Sequence, residues 1–247
     1  MFNFFHKKYF LKDYLEGYID IHNHVLPGID DGAADVEASV ELINRFKSLG
    51  ISKLIATPHV MNDYYPNTSS SIRQAHHHLQ QLLKDKNIQI EIKPAAEYMM
   101  DQAFLDLLER EDLLCLKDNM VLVEMSYFQP PINLNEILFK LQTAQYRTVL
   151  AHPERYAYFH SKSLNKYSDL KSRGCLFQLN LLSLVGHYGR NMQEIAYRLL
   201  EEGMIDFLGT DTHQLRHLEK LSTASFRKKD LELILPVIQN TKKVFAY

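Results

Sequence analysis

The feature that most restricts the fold of this chain is a series of apolar runs, each followed by a side chain able to bind a metal ion. Seven such runs follow one another. Because side chains that close the parallel strands of a barrel meet at its carboxyl face, the series predicts a metal site inside a barrel. The histidine and acidic residues of the series are His22, His24, His59, Glu97, Glu124, His152, Asp211 and His213, and Asn180 ends the remaining run.

The first two of these residues, His22 and His24, lie two positions apart. On a strand such side chains point to the same face, so both imidazoles can reach one cation. A single histidine after a strand would more often be a cap or a surface residue, and it is the repetition that favours a metal site. Imidazoles and carboxylates without thiolates suit manganese, iron or zinc in a catalytic site. The ligands exceed the roughly four to six positions of one ion, so two or three ions are predicted.

Helical patterns separate the apolar runs. Asp35 can cap a helix with apolar residues on one side, and Gly50 can end it. The alternation predicts an α/β fold, a single irregular (β/α)7 TIM-like barrel with the metal site at the carboxyl ends of the strands. The length of 247 residues is close to the roughly 250 of one such barrel. Further helices are predicted near residues 71–84, 102–110, 135–145, 163–172, 191–202 and 229–238.

The charge balance and the cysteines exclude several classes of function. The 28 basic and 30 acidic residues produce no overall field for nucleic acid or an anionic membrane. Two cysteines, Cys115 and Cys175, are too few for a disulfide framework and favour reduced thiols in the cytoplasm. Neither begins a Cys-x5-Arg motif, because Val121 and Leu181 occupy the arginine positions. Neither cysteine is therefore predicted to act as a nucleophile.

The first twelve residues are aromatic and basic, but they contain no apolar segment typical of a signal peptide or a membrane span. We interpret them as an amphipathic cap on the barrel or a partner-docking segment, with a weak membrane-surface contact as the alternative. The triplet His76-His77-His78 lies in a predicted helix, where consecutive side chains point in different directions. It is therefore predicted to be part of a solvated helix face.

Two longer motifs are more specific than the short metal-binding pairs. They are Leu26-Pro-Gly-Ile-Asp-Asp-Gly-Ala33 and Ala151-His-Pro-Glu-Arg-Tyr156. With the remaining strand-end residues they resemble the polymerase and histidinol phosphatase (PHP) superfamily. Within it they are most similar to the bacterial manganese-dependent protein-tyrosine phosphatases of capsule and exopolysaccharide operons. The resemblance spans residues 20–213 and implies one PHP-type metallophosphatase barrel over residues 18–247, preceded by an N-terminal extension of residues 1–17.

The resemblance implies how three ions would share the ligands. The first ion would be held by His22, His24, Glu97 and Asp211. Glu97 would bridge to a second ion, held with Glu124 and His152. The third would be held by His59, His213 and an aspartate of the turn 29–32. We predict Asp31 as that ligand, and Asp30 is the alternative.

The resemblance also implies an arginine that grips the phosphate, at Arg155. A planar guanidinium with two parallel donors suits this task. The family's second arginine follows Ser-Asp-Ala-His at a set distance, whereas here Thr-Asp-Thr-His leads to Leu218 at that position. Arg216 is the candidate replacement, so Arg155 and Arg216 are the predicted catalytic residues.

The implied function is metal-dependent hydrolysis of phosphotyrosine on an autophosphorylated bacterial tyrosine kinase that regulates capsular or exopolysaccharide synthesis. Mn²⁺ is the implied cofactor, with iron or zinc as alternatives, and two or three ions are expected per chain. The chain is predicted to be cytoplasmic, with neither nucleic acid binding nor stable membrane insertion, and the sequence leaves its oligomeric state open. An aromatic mouth is expected from Tyr64, Tyr65, Tyr98, Tyr127, Phe128, Tyr156 and Tyr158.

Two other functions would use the same ligands. One is a small-molecule phosphoesterase, such as a histidinol-phosphate phosphatase or a nucleotide phosphodiesterase. The other is a metal-stabilised scaffold without activity, which is disfavoured because structural sites do not keep open coordination positions.

Overall fold

The computed structural model of the protein describes residues 7–246, in which strands and helices alternate along the chain. The strands are β1 Tyr9–Phe10, β2 Tyr18–Asp20, β3 Ile51–Ala56, β4 His59–Val60, β5 Glu91–Pro94, β6 Glu97–Met99, β7 Met120–Glu124, β8 Arg147–Ala151, β9 Leu176–Asn180, β10 Phe207–Gly209 and β11 Ser225–Phe226. The α-helices are α1 Val36–Ser48, α2 Ser69–Asp85, α3 Gln102–Glu109, α4 Leu134–Thr143, α5 Asn165–Ser172, α6 Leu181–Leu184, α7 Arg190–Glu201, α8 Leu215–Thr223 and α9 Lys228–Phe245.

The central strands pair in parallel, which confirms the predicted α/β class. One sheet has the order β2-β3-β5 and a second has the order β10-β9-β8-β7-β6-β4. The two sheets are continuous where β3 runs into β4 and β5 runs into β6. There the Ala95 amide donates to the Ala56 carbonyl (2.8 Å) and the Glu97 amide to the Pro58 carbonyl (3.1 Å).

The opposite edges of the two sheets also meet. A parallel bridge joins Asn23, after β2, to Thr212, after β10. The Asp211 amide donates to the His22 carbonyl (2.7 Å), and the His24 amide donates to the Thr212 carbonyl (3.0 Å). The strands therefore form a TIM-barrel-like arrangement whose carboxyl ends converge.

Alternate residues of the strands belong to two apolar clusters. Ile55, Leu122 and Val149 pack in an inner cluster, while their neighbours Leu54 and Val121 pack in a larger cluster that includes residues of the surrounding helices. This alternation follows from the period of two along a strand. Each strand is thereby fixed in orientation, which determines the direction of the side chains at its end.

The predicted helices are confirmed as α1 to α5, α7 and α9. Asp35 caps α1 by accepting a hydrogen bond from the Ala38 amide (2.8 Å), and Gly50 after it has a φ of +82°. Helix α9 is longer than predicted, because it continues through Pro236 to Phe245. Helices α6 and α8 are absent from the sequence-based prediction: α6 has four residues, too few for periodicity, and α8 begins directly after the ligand motif at residues 211–213.

The described part of the N-terminal segment packs on the domain. Strand β1 pairs antiparallel with β11, and the Leu11 amide donates to the Ala224 carbonyl (2.9 Å). Leu11 and Leu15 are fully buried, while Phe10 remains 40% exposed. The prediction for residues 1–6 lies outside the described residues. Across residues 7–246, no helix combines the length and the apolar character that crossing a membrane would require.

Candidate metal centre

The structure brings all nine predicted ligands together at the carboxyl ends of the strands. Their side-chain nitrogen and oxygen atoms form three overlapping groups, and within each group the ligand atoms lie within 4.8 Å of one another. His152 lies beside these groups, with Nε2 3.0 Å from Glu97 Oε1. The groups are His22, His24, Glu97 and Asp211; His24, Asp31, His59 and His213; and His59, Glu97 and Glu124.

The first group is fully buried and shares two carboxylates between two imidazoles. His22 Nε2 lies 3.1 Å from Glu97 Oε2 and 3.3 Å from Asp211 Oδ1. His24 Nε2 lies 3.6 Å and 3.3 Å from the same two oxygens. The second oxygen of Asp211, Oδ2, accepts hydrogen bonds from Asn180 Nδ2 (2.9 Å) and Arg155 Nη1 (2.6 Å). The two oxygens of Asp211 therefore face different partners.

The second group distinguishes the two aspartates of the turn. Asp31 Oδ1 lies 3.5 Å from His59 Nε2 and 3.4 Å from His213 Nε2. Asp30 Oδ2 instead accepts from His24 Nδ1 (2.8 Å) and from the His59 amide (3.1 Å). Asp30 thus orients a histidine, and Asp31 presents its carboxylate to the group.

The third group differs from the arrangement that the resemblance implies. His59 Nδ1 lies 2.8 Å from Glu124 Oε1 and 3.2 Å from Glu97 Oε2, so His59 stands where His152 was expected. The carboxylate oxygens of Glu97 lie within 3.6 Å of ring nitrogens of four histidines. These are His22, His24, His59 and His152.

Three imidazoles are oriented by hydrogen bonds on the nitrogen that faces away from the centre. Besides the His24 contact with Asp30, His22 Nδ1 donates to Gln178 Oε1 (2.7 Å) and His213 Nδ1 donates to the Asp211 carbonyl (3.0 Å). Such contacts fix the tautomer and leave Nε2 free to bind a metal. Gln178 is therefore a positioning residue, a role that the sequence analysis did not predict although the residue lies in the apolar run that ends at Asn180.

The residues fit a set of divalent cations. His24 Nε2, His59 Nδ1 and Glu124 Oε1 are buried, and within residues 7–246 they lie close to other candidate ligand atoms without forming a hydrogen bond of good geometry. Unpartnered buried polar atoms are costly, so atoms that converge in this way need a bound ion or water to satisfy them. Nitrogen and oxygen donors without sulfur match manganese, iron or zinc.

The charges of the cluster agree with this fit. Burial favours protonation of Glu97 and Asp211, but the neighbouring imidazoles outweigh it and hold the pKa of both carboxyls well below the usual range. The same balance, with His213 as the main partner, lowers the pKa of Asp31 to about 2. At neutral pH the three carboxylates are therefore ionised, and Glu124 and Glu97 raise the pKa of His59 to about 9 against the effect of burial, so a bound cation would take the place of the imidazole proton.

Several residues of the motif at 151–156 have distinct structural roles. His152 and Asp211 both follow a strand with positive φ, 34° and 51°, a backbone region that non-glycine residues seldom adopt. Glu154 faces away from the ligands and accepts hydrogen bonds from the Asn180 amide (3.0 Å) and Ser183 Oγ (2.7 Å). The Tyr156 hydroxyl accepts from the Met125 amide (3.0 Å). The motif thus joins the strand ends to the loops above them.

Arg155 contacts the first ligand group through Asp211 and packs against two tyrosine rings. Its guanidinium carbon is 4.8 Å from the Tyr127 ring centre and 4.2 Å from that of Tyr188. Such stacking restricts the guanidinium without consuming its donors. Arg216 is placed differently: it is exposed on α8 and does not line the cavity above the ligands.

A cavity of about 880 Å³ opens above the ligands. Its lining includes Arg155 and the candidate ligands Asp31, Glu124 and His213. The expected aromatic mouth divides: Tyr64, Tyr65, Tyr127 and Phe128 line the cavity, Tyr98 and Tyr156 are buried in the core, and Tyr158 packs against the core. The histidine triplet of α2 is not in the centre, although His76 is half-buried and donates to the Ile92 carbonyl (2.8 Å).

The two cysteines are placed and charged unlike nucleophiles. Neither lines the cavity, and both are free thiols. Burial raises the pKa of Cys115 to about 11 and that of Cys175 to about 12. A reactive cysteine requires the opposite shift.

Replacing both cysteines by serine is therefore expected to leave kcat/KM within about twofold, a change of less than 0.5 kcal/mol in the barrier. The buried serine at position 175 is expected to lower the free energy of unfolding by about 1 to 3 kcal/mol. Kinetics and thermal unfolding of the Cys115→Ser, Cys175→Ser double variant measure the two effects separately. A folded but inactive variant would contradict the metal-based site.

Comparison with known proteins gives one family. The model described as capsular polysaccharide synthesis, CpsB/CapC, matches residues 18–225. The tyrosine-protein phosphatase YwqE of Bacillus subtilis is 32% identical over 199 residues, which cover 80% of this chain and 78% of that protein. The putative tyrosine-protein phosphatase CapC of Staphylococcus aureus is 23% identical, with 87% and 84% covered.

Solved structures agree with this result. A structure from a study of YwqE from Bacillus subtilis and CpsB from Streptococcus pneumoniae, described as unique metal-dependent tyrosine phosphatases, superposes with a TM-score of 0.80 and 28% identity, covering 92% of this chain and 94% of that one. The phosphotriesterase homology protein from Escherichia coli superposes with a TM-score of 0.53 at 12% identity, covering 94% and 99%. The latter likeness extends to the fold alone.

Proposed function

Because the chain belongs to the CpsB/CapC family of capsular polysaccharide synthesis, we propose that it is a metal-dependent protein-tyrosine phosphatase. Its substrate would be phosphotyrosine on an autophosphorylated bacterial tyrosine kinase that regulates capsular or exopolysaccharide synthesis. The observation that carries the proposal is the position of Arg155, on the wall of a cavity that also reaches candidate ligands of all three groups.

The ligands would hold two or three ions, and we propose Mn²⁺, with iron or zinc able to use the same donors. Bound divalent cations would supply Lewis-acid activation of water and of the phosphoryl oxygens. The nine candidate ligands are His22, His24, Asp31, His59, Glu97, Glu124, His152, Asp211 and His213.

The chain's own groups bind and orient the substrate. The guanidinium of Arg155 faces the cavity and can donate two parallel hydrogen bonds to a phosphate. The rings of Tyr127 and Tyr188 pack against it and restrict its movement. The leaving tyrosine phenoxide has a conjugate-acid pKa of about 10, so it needs less help from a general acid than an alkoxide does. A leaving group that needs little protonation suits this site, because Arg155 is the one lysine or arginine on the described cavity wall.

We also propose that seven β/α units close into an irregular barrel over residues 18–247, with residues 1–17 as an extension. The bridge between Asn23 and Thr212 supports closure, because it joins the ends of β2 and β10. A cytoplasmic location is supported by the two free thiols, Cys115 and Cys175, which are typical of reducing compartments.

A panel of substrates tests the proposed function. We expect kcat/KM for a phosphotyrosine peptide to exceed that for histidinol phosphate, and that for bis(p-nitrophenyl) phosphate, by at least about tenfold, which is a difference of 1.4 kcal/mol in the barrier. A chelator should abolish turnover, and Mn²⁺ should restore it. A preference for histidinol phosphate or for the diester would instead assign a small-molecule phosphoesterase.

A further inference from the structure

Large apolar side chains with exposed surface surround the mouth of the cavity. We name the apolar rim as Tyr64, Tyr127, Phe128 and Ile132. Phe128 is 93% exposed and Ile132 is 100% exposed, while Tyr64 and Tyr127 are 75% and 44% exposed. All four line the cavity. Exposed apolar side chains gathered in one place indicate a contact surface, whereas scattered ones do not.

The loop that carries most of the rim is held in place. The Ser126 carbonyl accepts from the Tyr158 hydroxyl (2.9 Å), and Ser126 Oγ accepts from the Phe128 amide (3.2 Å). The next turn contains Pro130 and Pro131, whose fixed φ reduces the number of accessible backbone conformations. Phe128 and Ile132 are therefore presented to solvent by an ordered backbone.

The rim is continuous with the phosphate-binding arginine. The Tyr127 ring lies 4.8 Å from the Arg155 guanidinium carbon and 5.8 Å from the His152 ring centre. A phosphotyrosine whose phosphate reaches Arg155 would therefore place its neighbouring residues along the rim. A phosphotyrosine side chain is smaller than the 880 Å³ cavity, so the mouth has room for part of the flanking polypeptide.

The charge of the mouth restricts what can flank the phosphotyrosine. Its wall includes Asp63 and Asp101, two carboxylates that are not candidate metal ligands, and Arg155 is the one basic side chain among the described lining residues other than histidines. Like charges in such a mouth repel an incoming acidic chain, while apolar or basic chains meet no such barrier.

We propose that the apolar rim binds apolar residues that flank the phosphotyrosine, and that it selects against acidic flanks. This inference rests on the proposed function, because it deals with how the same site recognises a polypeptide substrate. Phe128 and Ile132 supply the contact area, while Arg155 supplies the phosphate contact.

The test compares a peptide with a small aryl phosphate that cannot reach the rim. The measured quantity is kcat/KM for an apolar-flanked phosphotyrosine peptide divided by kcat/KM for p-nitrophenyl phosphate. We expect this ratio to fall about tenfold in the Phe128→Ser, Ile132→Ser double variant, because two large apolar contacts are lost. Most of the change should appear in KM. Both side chains are exposed, so the thermal midpoint should stay near that of the wild type.

Phe139 provides a matched control. It is 67% exposed on α4, the helix that follows the rim loop, but it does not line the cavity. The Phe139→Ser variant removes a similar side chain and should leave the ratio unchanged. An unchanged ratio in the double variant, or an equal fall in the Phe139→Ser variant, would overturn the proposal.

The charge selection has its own readout. Replacing the flanks of the peptide by glutamate should lower kcat/KM at low salt, and both added salt and Asp63→Asn should reduce this penalty. A glutamate-flanked peptide that is hydrolysed as well as the apolar one would contradict the selection. If the wild type hydrolysed no phosphotyrosine substrate, both the proposed function and the role of the rim would be overturned. If the wild type were active and the double variant kept the wild-type ratio, only the role of the rim would be overturned.

Discussion

Replacing Glu97 by alanine is expected to abolish measurable phosphotyrosine hydrolysis and to remove more than one metal ion per chain. Glu97 belongs to two of the three ligand groups, and its oxygens also contact His152. We expect kcat to fall on the order of 10³-fold or more, because bound metal contributes several kcal/mol of transition-state stabilisation. Elemental analysis of the purified variant measures the metal loss, and steady-state kinetics measure the rate.

Two further variants make the stoichiometry interpretable. His213 belongs to one ligand group, so His213→Ala should remove about one ion. Glu109 is an exposed glutamate of α3 that pairs with Lys140, and Glu109→Ala should change neither metal content nor rate. Metal content in Glu97→Ala equal to that of the wild type would exclude Glu97 from the centre.

Replacing Arg155 by alanine is expected to lower kcat/KM on the order of 10²- to 10³-fold, a loss of about 3 to 4 kcal/mol. Arg155 is the one arginine among the described residues that line the cavity. The contact of its guanidinium with the phosphate is expected to strengthen as charge shifts in the transition state. Metal content should remain normal, since a guanidinium does not coordinate cations. Arg155→Lys should recover only part of the rate, because a point charge lacks the two parallel donors.

Arg216 provides the comparison in the same assay. It is exposed on α8 and outside the cavity, so we expect Arg216→Ala to keep wild-type kinetics and leave Arg155 as the one phosphate-binding arginine. A loss comparable to that of Arg155→Ala would show that Arg216 replaces the second arginine of the PHP phosphatases. Wild-type kinetics in Arg155→Ala would remove that residue from the mechanism.

The sequence was sufficient to predict that the candidate ligands lie together, but not which of them contact one another. A residue at the end of a strand inherits its direction from the sheet, so His22, Glu97 and Asp211 could be placed together from the order of apolar runs. Which histidine meets Glu124 depends on side-chain rotamers, and the structure has His59 there, with His152 beside Glu97.

Orienting contacts were equally hidden. Gln178 reaches His22 across 156 positions of sequence, and a distance of that kind carries no local pattern. Asp30 and Asp31 are chemically identical neighbours, and only the path of the turn decides which of them turns toward His24.

Helix α8, by contrast, did carry a helical pattern in the sequence, since Leu215, Leu218 and Leu221 recur every three residues.

The two-sided environment of Asp211 has a consequence for the last step of the proposed reaction, the release of phosphate. Its Oδ1 faces His22 and His24, while Oδ2 accepts from Arg155 Nη1 at 2.6 Å. The guanidinium of Arg155 therefore keeps an anionic partner when inorganic phosphate departs, because it already donates one hydrogen bond to Asp211. A cation with a resident counterion binds a free anion less tightly than an unpaired one would. The pair should thus limit product inhibition by phosphate.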